Sequence, residues 1–335
     1  MDTQRQGILA AGNFIVDQVK IIDAYPEQDT LANILSESKS NGGGPYNVLK
    51  DLSSMRVGYP LEACGLIGDD DYGRWILDDC QNNGIDTAQL HSTSERSTSY
   101  TDAMSVLGTG RRTFFHQRGA NSLFDVEHLD FTKTKARILH LGYLTLLDAL
   151  DSFDGKQTRA ALALKKAKEH GLETSVDMVS GEHPQFREIA LSALPFTDHF
   201  IINELEASHI LSTRLSADNS EALLKAAQEL LELGVQKTVT IHTQHGAVCM
   251  LKAGDTFTQA SLKLPDNFSK GATGAGDAFA AGLLHGLHDN LPIPDRLQLA
   301  VCTAAASLTD PSPSQGLIPT SQCLELAQEF GFVDL

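Results

Sequence analysis

RILHLGYL (residues 137–144), KQTRAALALKKAKEHG (156–171) and LETSVDM (172–178) set a short apolar run, a helical stretch and a second apolar run in succession. The pattern recurs downstream in DHFIIN (198–203), SEALLKAAQELLELG (220–234) and KTVTIH (237–242). Gly171 and Gly234 stand where each helix needs a C-cap. Alternation of this kind predicts an α/β fold with a parallel sheet and helices on both faces. Ligands in such sheets bind at the carboxyl ends of the strands, so chemistry is expected where the apolar runs stop.

Upstream, GILAAGNFIV (7–16) opens as an apolar strand. NGGGPYNVLKDLSSMR (41–56) reads as a glycine turn into a helix, with Pro45 at its first position and Val48, Leu49, Leu52 and Met55 on one face. STSYTDAMSVLGTGRRTFFHQR (97–118) gives two β-rich runs around a GTGRR turn, a hairpin by sequence. Neither an internal repeat nor a linker-like shift in composition divides the 335 residues, enough to bury one large core. A single domain over residues 1–335 is expected.

A formal net charge of -17 repels polyanions, so nucleic acid is a poor partner, and a small anionic ligand needs local amides or a divalent cation to offset the field. The start, MDTQRQG, lacks the basic and apolar segments of a signal peptide. No apolar run approaches the roughly 20 residues of a membrane span. A cytoplasmic location without a membrane partner is expected. Cys64, Cys80, Cys249, Cys302 and Cys323 are scattered and never paired as C-x-x-C, which argues against a disulfide framework or a zinc site. The twelve histidines form no H-E-x-x-H, and His242 and His245 lack acidic or cysteine companions.

The most informative loop is KGATGAGDAF (270–279). Gly271 and Gly276 have the spacing of a Walker P-loop, but Asp277 stands where the lysine belongs. A dinucleotide fingerprint fails too, because the loop follows the polar DNFSK rather than a strand. What remains is a helix N-terminus whose amides from Thr273 to Gly276 point at an anion. An aspartate in a first helical turn is by itself an ordinary stabiliser. Amides that hold an anion beside a carboxylate that accepts a proton are, however, the two needs of phosphoryl transfer to an alcohol.

GATGAGDAFAAGLLHGL (271–287) resembles the C-terminal signature of the ribokinase, or PfkB, family of carbohydrate kinases. NGGGPYNVLKDL, GLIGDDDYGRWILDDCQNNGIDT (65–87), RGAN (118–121) and NELEA (203–207) resemble further family motifs in order. The resemblance implies a Rossmann-like three-layer sandwich with a mainly parallel central sheet and a small β-sheet lid, formed by segments about 14–40 and 97–118. It also implies ATP-dependent phosphorylation of the hydroxymethyl group of a small sugar or polyol. Carried onto this chain, Asp277 would be the base and Gly274, Ala275 and Gly276 the anion hole. Asn203 and Glu206 would organise Mg²⁺ through water. Asn13, Asp17, Gly42, Gly43, Asn47, Arg118 and Asn121 would border the sugar, and His242, Thr243, Gly246, Gly271 and Thr273 the nucleotide. K⁺ near loops 266–272 and 308–316 and a homodimer through the lid are further implications.

Single residues also have plainer readings. Asn203 to Glu206 is the spacing of a helix cap, Gly42 to Gly44 that of a turn, and Asp17 either an edge residue or a ligand contact. A nucleoside kinase of the same family and a non-catalytic sugar or nucleotide sensor stay open as alternatives. Three departures bear on function: Ala272 replaces the signature's usual acidic residue, His242 and Thr243 replace a T-x-G loop, and VDMVSGEH (176–183) keeps only Asp177 of D-x-N-x-R. Fructokinase-like or acid-sugar specificity is therefore not transferred.

Overall fold

A computed structural model describes residues 5–109 and 111–334. Its elements begin with β1 (Ile8–Gly12), β2 (Ile15–Ile22), β3 (Ile34–Gly42), α1 (Gly44–Ser54), β4 (Leu61–Gly68), α2 (Asp71–Asn82), β5 (Asp86–Thr93), β6 (Tyr100–Val106) and β7 (Arg112–Gln117). There follow β8 (Ile138–Leu144), α3 (Asp148–Asp151), the two-residue strands β9 (Phe153–Asp154) and β10 (Gln157–Thr158), α4 (Arg159–Glu169), β11 (Glu173–Met178) and α5 (Phe186–Ala193). The chain ends through β12 (His199–Asn203), α6 (Glu204–Leu211), α7 (Ser220–Glu232), β13 (Thr238–Thr243), β14 (Gly246–Leu251), β15 (Thr256–Ala260), α8 (Ala275–His288), α9 (Ile293–Ser307) and α10 (Thr320–Phe330).

A nine-stranded sheet runs β15-β14-β13-β12-β11-β8-β1-β4-β5. From β5 to β13 every neighbouring pair is parallel, and β14 and β15 close one edge antiparallel. Successive β1 side chains point to opposite faces. Ile8 and Ala10 join the core packed with α1, α8 and α9, while Leu9 and Ala11 join the core packed with α4, α5, α6 and α7. The result is a three-layer sandwich in which β1 is wholly buried.

Connections from β1 lead outward to β4 and β5 on one side, and the later strands fill the other side through β8. The order reverses between β1 and β8, and a crevice is expected at their carboxyl ends. The apolar run 7–16 is thus two strands, not one. At Gly12, φ is 127° and a side chain would collide with the Gly142 carbonyl, so only glycine lets the chain leave the large sheet. It then enters a separate four-stranded sheet, β3-β2-β6-β7, which covers the crevice. In that sheet the hairpin expected at 97–118 forms β6 and β7, paired antiparallel. Gly110 of its GTGRR turn, like residues 1–4 and Leu335, lies outside the described residues.

Local sequence explains the helix starts near the crevice. Pro45 occupies the first turn of α1, and the Asp70 side chain accepts from the Gly73 amide (2.9 Å) to cap α2. Among the described residues no helix is long and apolar enough to cross a membrane. All five cysteines are buried thiols.

Candidate active site

Carboxyl ends of the parallel strands deliver Asn13 just after β1, Tyr143 on β8, Asp177 on β11, Asn203 on β12 and His242 on β13 to one end of the sheet. Together with α8 and the small sheet they border a cleft of about 550 Å³, whose walls include Asp17, Asn47, Arg118, Tyr143, Asp177 and Asp277.

The turn before α8 is built for close approach. Gly274 has φ 77° and lies under Pro313, where a side chain would clash. The amides of Gly276 and Asp277, in the first turn of α8, have no backbone acceptor among the described residues. The Ala275 amide makes only a long bond, 3.3 Å, to the Ala272 carbonyl. Beside these donors the Asp277 carboxylate, 5% exposed, accepts from Tyr143 Oη (2.6 Å) and Asn47 Nδ2 (2.7 Å). Burial pushes its pKa up to about 6, and the two hydrogen bonds restrain the rise. A group with that pKa is ionised at neutral pH yet basic enough to take a proton.

On the side of the small sheet, Asp17 packs its carboxylate against the Cα of Gly42, where any side chain would collide. Burial raises Asp17 to about 7. Gly43, at φ 90°, abuts the Asn13 carbonyl. Arg118 is ion-paired with Asp148 and half exposed on the cleft wall. Asn13, Gly42 and Asn121 are behind the wall rather than on it. Asn13 Oδ1 accepts from the Tyr143 amide (2.6 Å) and its Nδ2 donates to the Leu146 carbonyl (3.3 Å), which clamps β1 to β8 at the crevice. Asn121 brackets the Phe14 backbone, with Nδ2 donating to its carbonyl (3.2 Å) and Oδ1 accepting from its amide (3.4 Å).

Opposite lies the second half of the expected site. Asn203 and Glu206 form a capping box on α6, the plainer of their two readings, and both also line the cleft. Burial pushes Glu206 up to about 7, and burial followed by the neighbouring Glu206 charge holds Asp177 well above the usual carboxylate range. Two buried acids that oppose each other's charge fit a divalent cation held through water and phosphate oxygens. Among the described residues no cluster of three or more His, Cys, Asp or Glu is placed to hold a metal by itself.

A second pocket of about 360 Å³ adjoins the cleft, and His242 and Gly276 line both. Its walls are mostly apolar, with Leu262, Phe279, Val301 and Ala304 among them, and it includes Thr243 and Gly246. The His242 ring lies against Phe279 at 4.8 Å, and burial lowers its pKa to about 4, so it is neutral. Thr273 faces the cleft, whereas Gly271 lies beneath Pro311 and Arg112, off both walls. A larger open groove of about 1100 Å³ lies between α5 and α6, with Glu182 and Arg214 on its walls.

Sequence reasoning missed Tyr143 and Ser180. Tyr143 sits in an apolar run, where it reads as core, but it is the last polar residue before the carboxyl end of a parallel strand, a position that was a usable signal. Ser180 Oγ accepts from Asn203 Nδ2 (2.6 Å) and donates to Glu206 Oε1 (2.8 Å), and nothing in VDMVSGEH singles it out.

Residues 10–321 match the model of the pfkB family carbohydrate kinase. A 5-dehydro-2-deoxygluconokinase of Geobacillus thermodenitrificans (strain NG80-2) is 24% identical over 331 residues, covering 95% of this chain and 91% of the relative. A probable fructokinase-7 of Arabidopsis thaliana is 25% identical over 340 residues, covering 96% and 91%. The structure of Arabidopsis thaliana ribokinase complexed with ribose and ATP superposes with a TM-score of 0.79 at 18% identity, covering 96% of this chain and 98% of that one. The chain belongs to the pfkB family of carbohydrate kinases.

Proposed function

We propose that the protein transfers the γ-phosphoryl group of ATP to the exocyclic hydroxymethyl of a small sugar or polyol. One observation carries this: the buried Asp277 carboxylate stands beside unpaired amides at the place where the polar cleft and the apolar pocket meet. The acceptor hydroxyl lies in the cleft among Asp17, Gly43, Asn47 and Arg118, in line with the γ-phosphorus, and gives its proton to Asp277 as the new O–P bond forms and the bond to the bridging oxygen of the departing ADP breaks. The amides at 274–276 receive the charge that builds on the transferring oxygens. Adenine fills the apolar pocket beside His242 and Phe279. When bound, Mg²⁺ would add positive charge at the phosphates, held through water by Asn203 and Glu206. The small sheet acts as a lid over the acceptor and excludes water.

Two ancillary parts belong to the same reading. Loops 266–272 and 308–316, tied by the Lys270 amide to the Leu308 carbonyl (2.8 Å), are where K⁺ would act, which exchange of K⁺ for Na⁺ in the assay tests. The outer strands β3 and β7 carry exposed Ile34, Leu35, Phe114 and Phe115, which a homodimer through the lid would cover. Sedimentation of the wild type against a Leu35→Lys, Phe115→Lys variant tests that.

Coupled detection of ADP across D-fructose, D-ribose, 5-dehydro-2-deoxygluconate, other polyols and nucleosides identifies the acceptor. The first three come from the names of similar proteins. Phosphorylation confined to nucleosides would move the reading to a nucleoside kinase. Tight binding with no ADP from any compound would make the protein a sensor. Asp277→Asn is expected to lower kcat by about a hundredfold or more while ATP affinity and fold persist. Normal turnover in that variant would overturn the reading.

A further inference from the structure

Behind Asp277 runs a buried chain of hydrogen bonds that the transfer reaction as described above does not use. Asn47, whose Nδ2 donates to Asp277 Oδ2, accepts at its own Oδ1 from Asn41 Nδ2 (2.7 Å). The other proton of Asn41 Nδ2 goes to Ser314 Oγ (2.9 Å). Ser314 in turn lies beside Asp51 of α1, close enough for its hydroxyl to lower that acid's pKa but short of hydrogen-bond geometry. Asn41, Asn47, Asp51, Ser314 and Asp277 are all buried. Both Asp51 oxygens lack a partner among the described residues, and burial holds this carboxyl well above the usual range.

A side-chain amide has a donor end and an acceptor end, so such a chain has two polarities. In one, Ser314 turns its lone pair to Asn41, Asn41 donates to Asn47, and Asn47 donates to Asp277. In the reverse, Ser314 donates to Asn41, and Asn47 presents its oxygen to Asp277, which an ionised carboxylate opposes. The Asp277 carboxylate, which only accepts, meets the Asn47 donor end in the first polarity and an oxygen in the second, and so favours the first.

We propose that Asn41 and Ser314 are positioning residues of the phosphoryl transfer, which hold the Asn47 amide with its donor end toward Asp277 and thereby keep that carboxylate ionised. Asn41 belongs to β3 of the small sheet and Ser314 to the loop whose Pro313 covers Gly274. The chain therefore joins the root of the lid, the loop over the anion hole and the base. Other groups face Asp277 as well: Asp17 from β2, Tyr143 from β8 and Asp177 from β11 lie within its electrostatic reach, as does Asp51 from α1, and His242 of β13 lies against Gly276. None of these is altered by changing Asn41 or Ser314, which are uncharged.

This inference rests on Asp277 as the base, and its test separates the two. The kcat of wild type, Asn41→Ala and Ser314→Ala is measured from pH 5 to 9 with the best acceptor, alongside KM for ATP and the melting temperature. In Asn41→Ala the acid limb moves up by about one pH unit, so that below the limb kcat falls about tenfold while the plateau and the ATP KM stay within about twofold. Ser314→Ala moves the limb in the same direction by less. A merely structural role would lower the melting temperature and scale kcat alike at every pH. If the limb stays in place in both folded variants the inference is wrong, and should Asn41→Ala not fold, Ser314→Ala decides alone. Should Asp277→Asn turn over normally, the reading of the base fails instead.

Discussion

The two ends of the site are built by different means. At the end proposed for the acceptor the polar groups are held: Asp277 takes bonds of 2.6 and 2.7 Å, Asn13 clamps the β1 and β8 ends, and Asp17 is seated against a glycine that admits no other residue. At the end proposed for the nucleotide, Leu262, Leu264, Phe279, Val301, Ala304 and Ala305 make a pocket whose fit depends on shape. Proton transfer tolerates little error in geometry, whereas an apolar pocket tolerates substitutions that keep its volume. Two of the three departures from the family pattern follow this division, while the third, VDMVSGEH, puts Val179, Ser180, Gly181 and Glu182 on the wall of the polar cleft. Ala272, His242 and Thr243 all line the apolar pocket, and Asp277, Gly274, Gly276 and Asn47 at the reacting end match the motif.

If the division is real, substitutions at the two ends should separate in kinetics. The largest effect is expected from Asp277→Asn, about a hundredfold or more in kcat with KM for ATP unchanged. Next comes Tyr143→Phe. Loss of its hydrogen bond to Oδ1 leaves the carboxylate less stabilised, so the base pKa rises from about 6 and the acid limb of kcat moves up by about one unit, roughly a tenfold loss at pH 5 to 6. A limb that does not move would mean that Tyr143 only fills space. Ala304→Phe, which intrudes on the apolar pocket from α9, is expected to raise KM for ATP by about three- to tenfold and leave kcat within about twofold. A kcat loss as large as that of Tyr143→Phe would abolish the distinction between the ends.

Much of this could be read from residues alone, and unevenly. Periodicity located β8, β11, β12 and β13 with their helices because strands buried on both faces are continuous apolar runs. It merged β1 with β2, since the break at Gly12 depends on the Gly142 carbonyl of a distant strand. The glycine loop was legible because its chemistry is local: amides, a left-handed glycine and a carboxylate all fall within five residues. Asn41 and Ser314 were not, because each acts through the amide it orients, and of Tyr143 only the place at a strand end was legible, since its partner lies more than a hundred residues away. For Asn203 and Glu206 the plain and the functional readings are both present, one in the hydrogen bonds of the α6 cap and the other in the cleft wall.

The smallest effect concerns stability, and here too the ends differ in sign. Burial raises Asp17 to about 7 in the folded chain, against a carboxylate that titrates near 3.8 when unfolded. Between those values the folded protein keeps a proton that the unfolded chain has lost, so raising the pH strips it from the native state and stability falls until both forms are ionised. His242 behaves oppositely: its pKa drops to about 4, the unfolded chain takes up a proton first as pH falls below 6.5, and stability is lost toward acid. Asp17→Asn has no proton to lose. In the ligand-free protein it should therefore melt above wild type by on the order of 5 °C at pH 8, with the gap narrowing toward pH 5. A gap of equal size at both pH values would place its cause in packing rather than in the buried charge, and Asp17 would then cost the fold nothing for its place in the cleft.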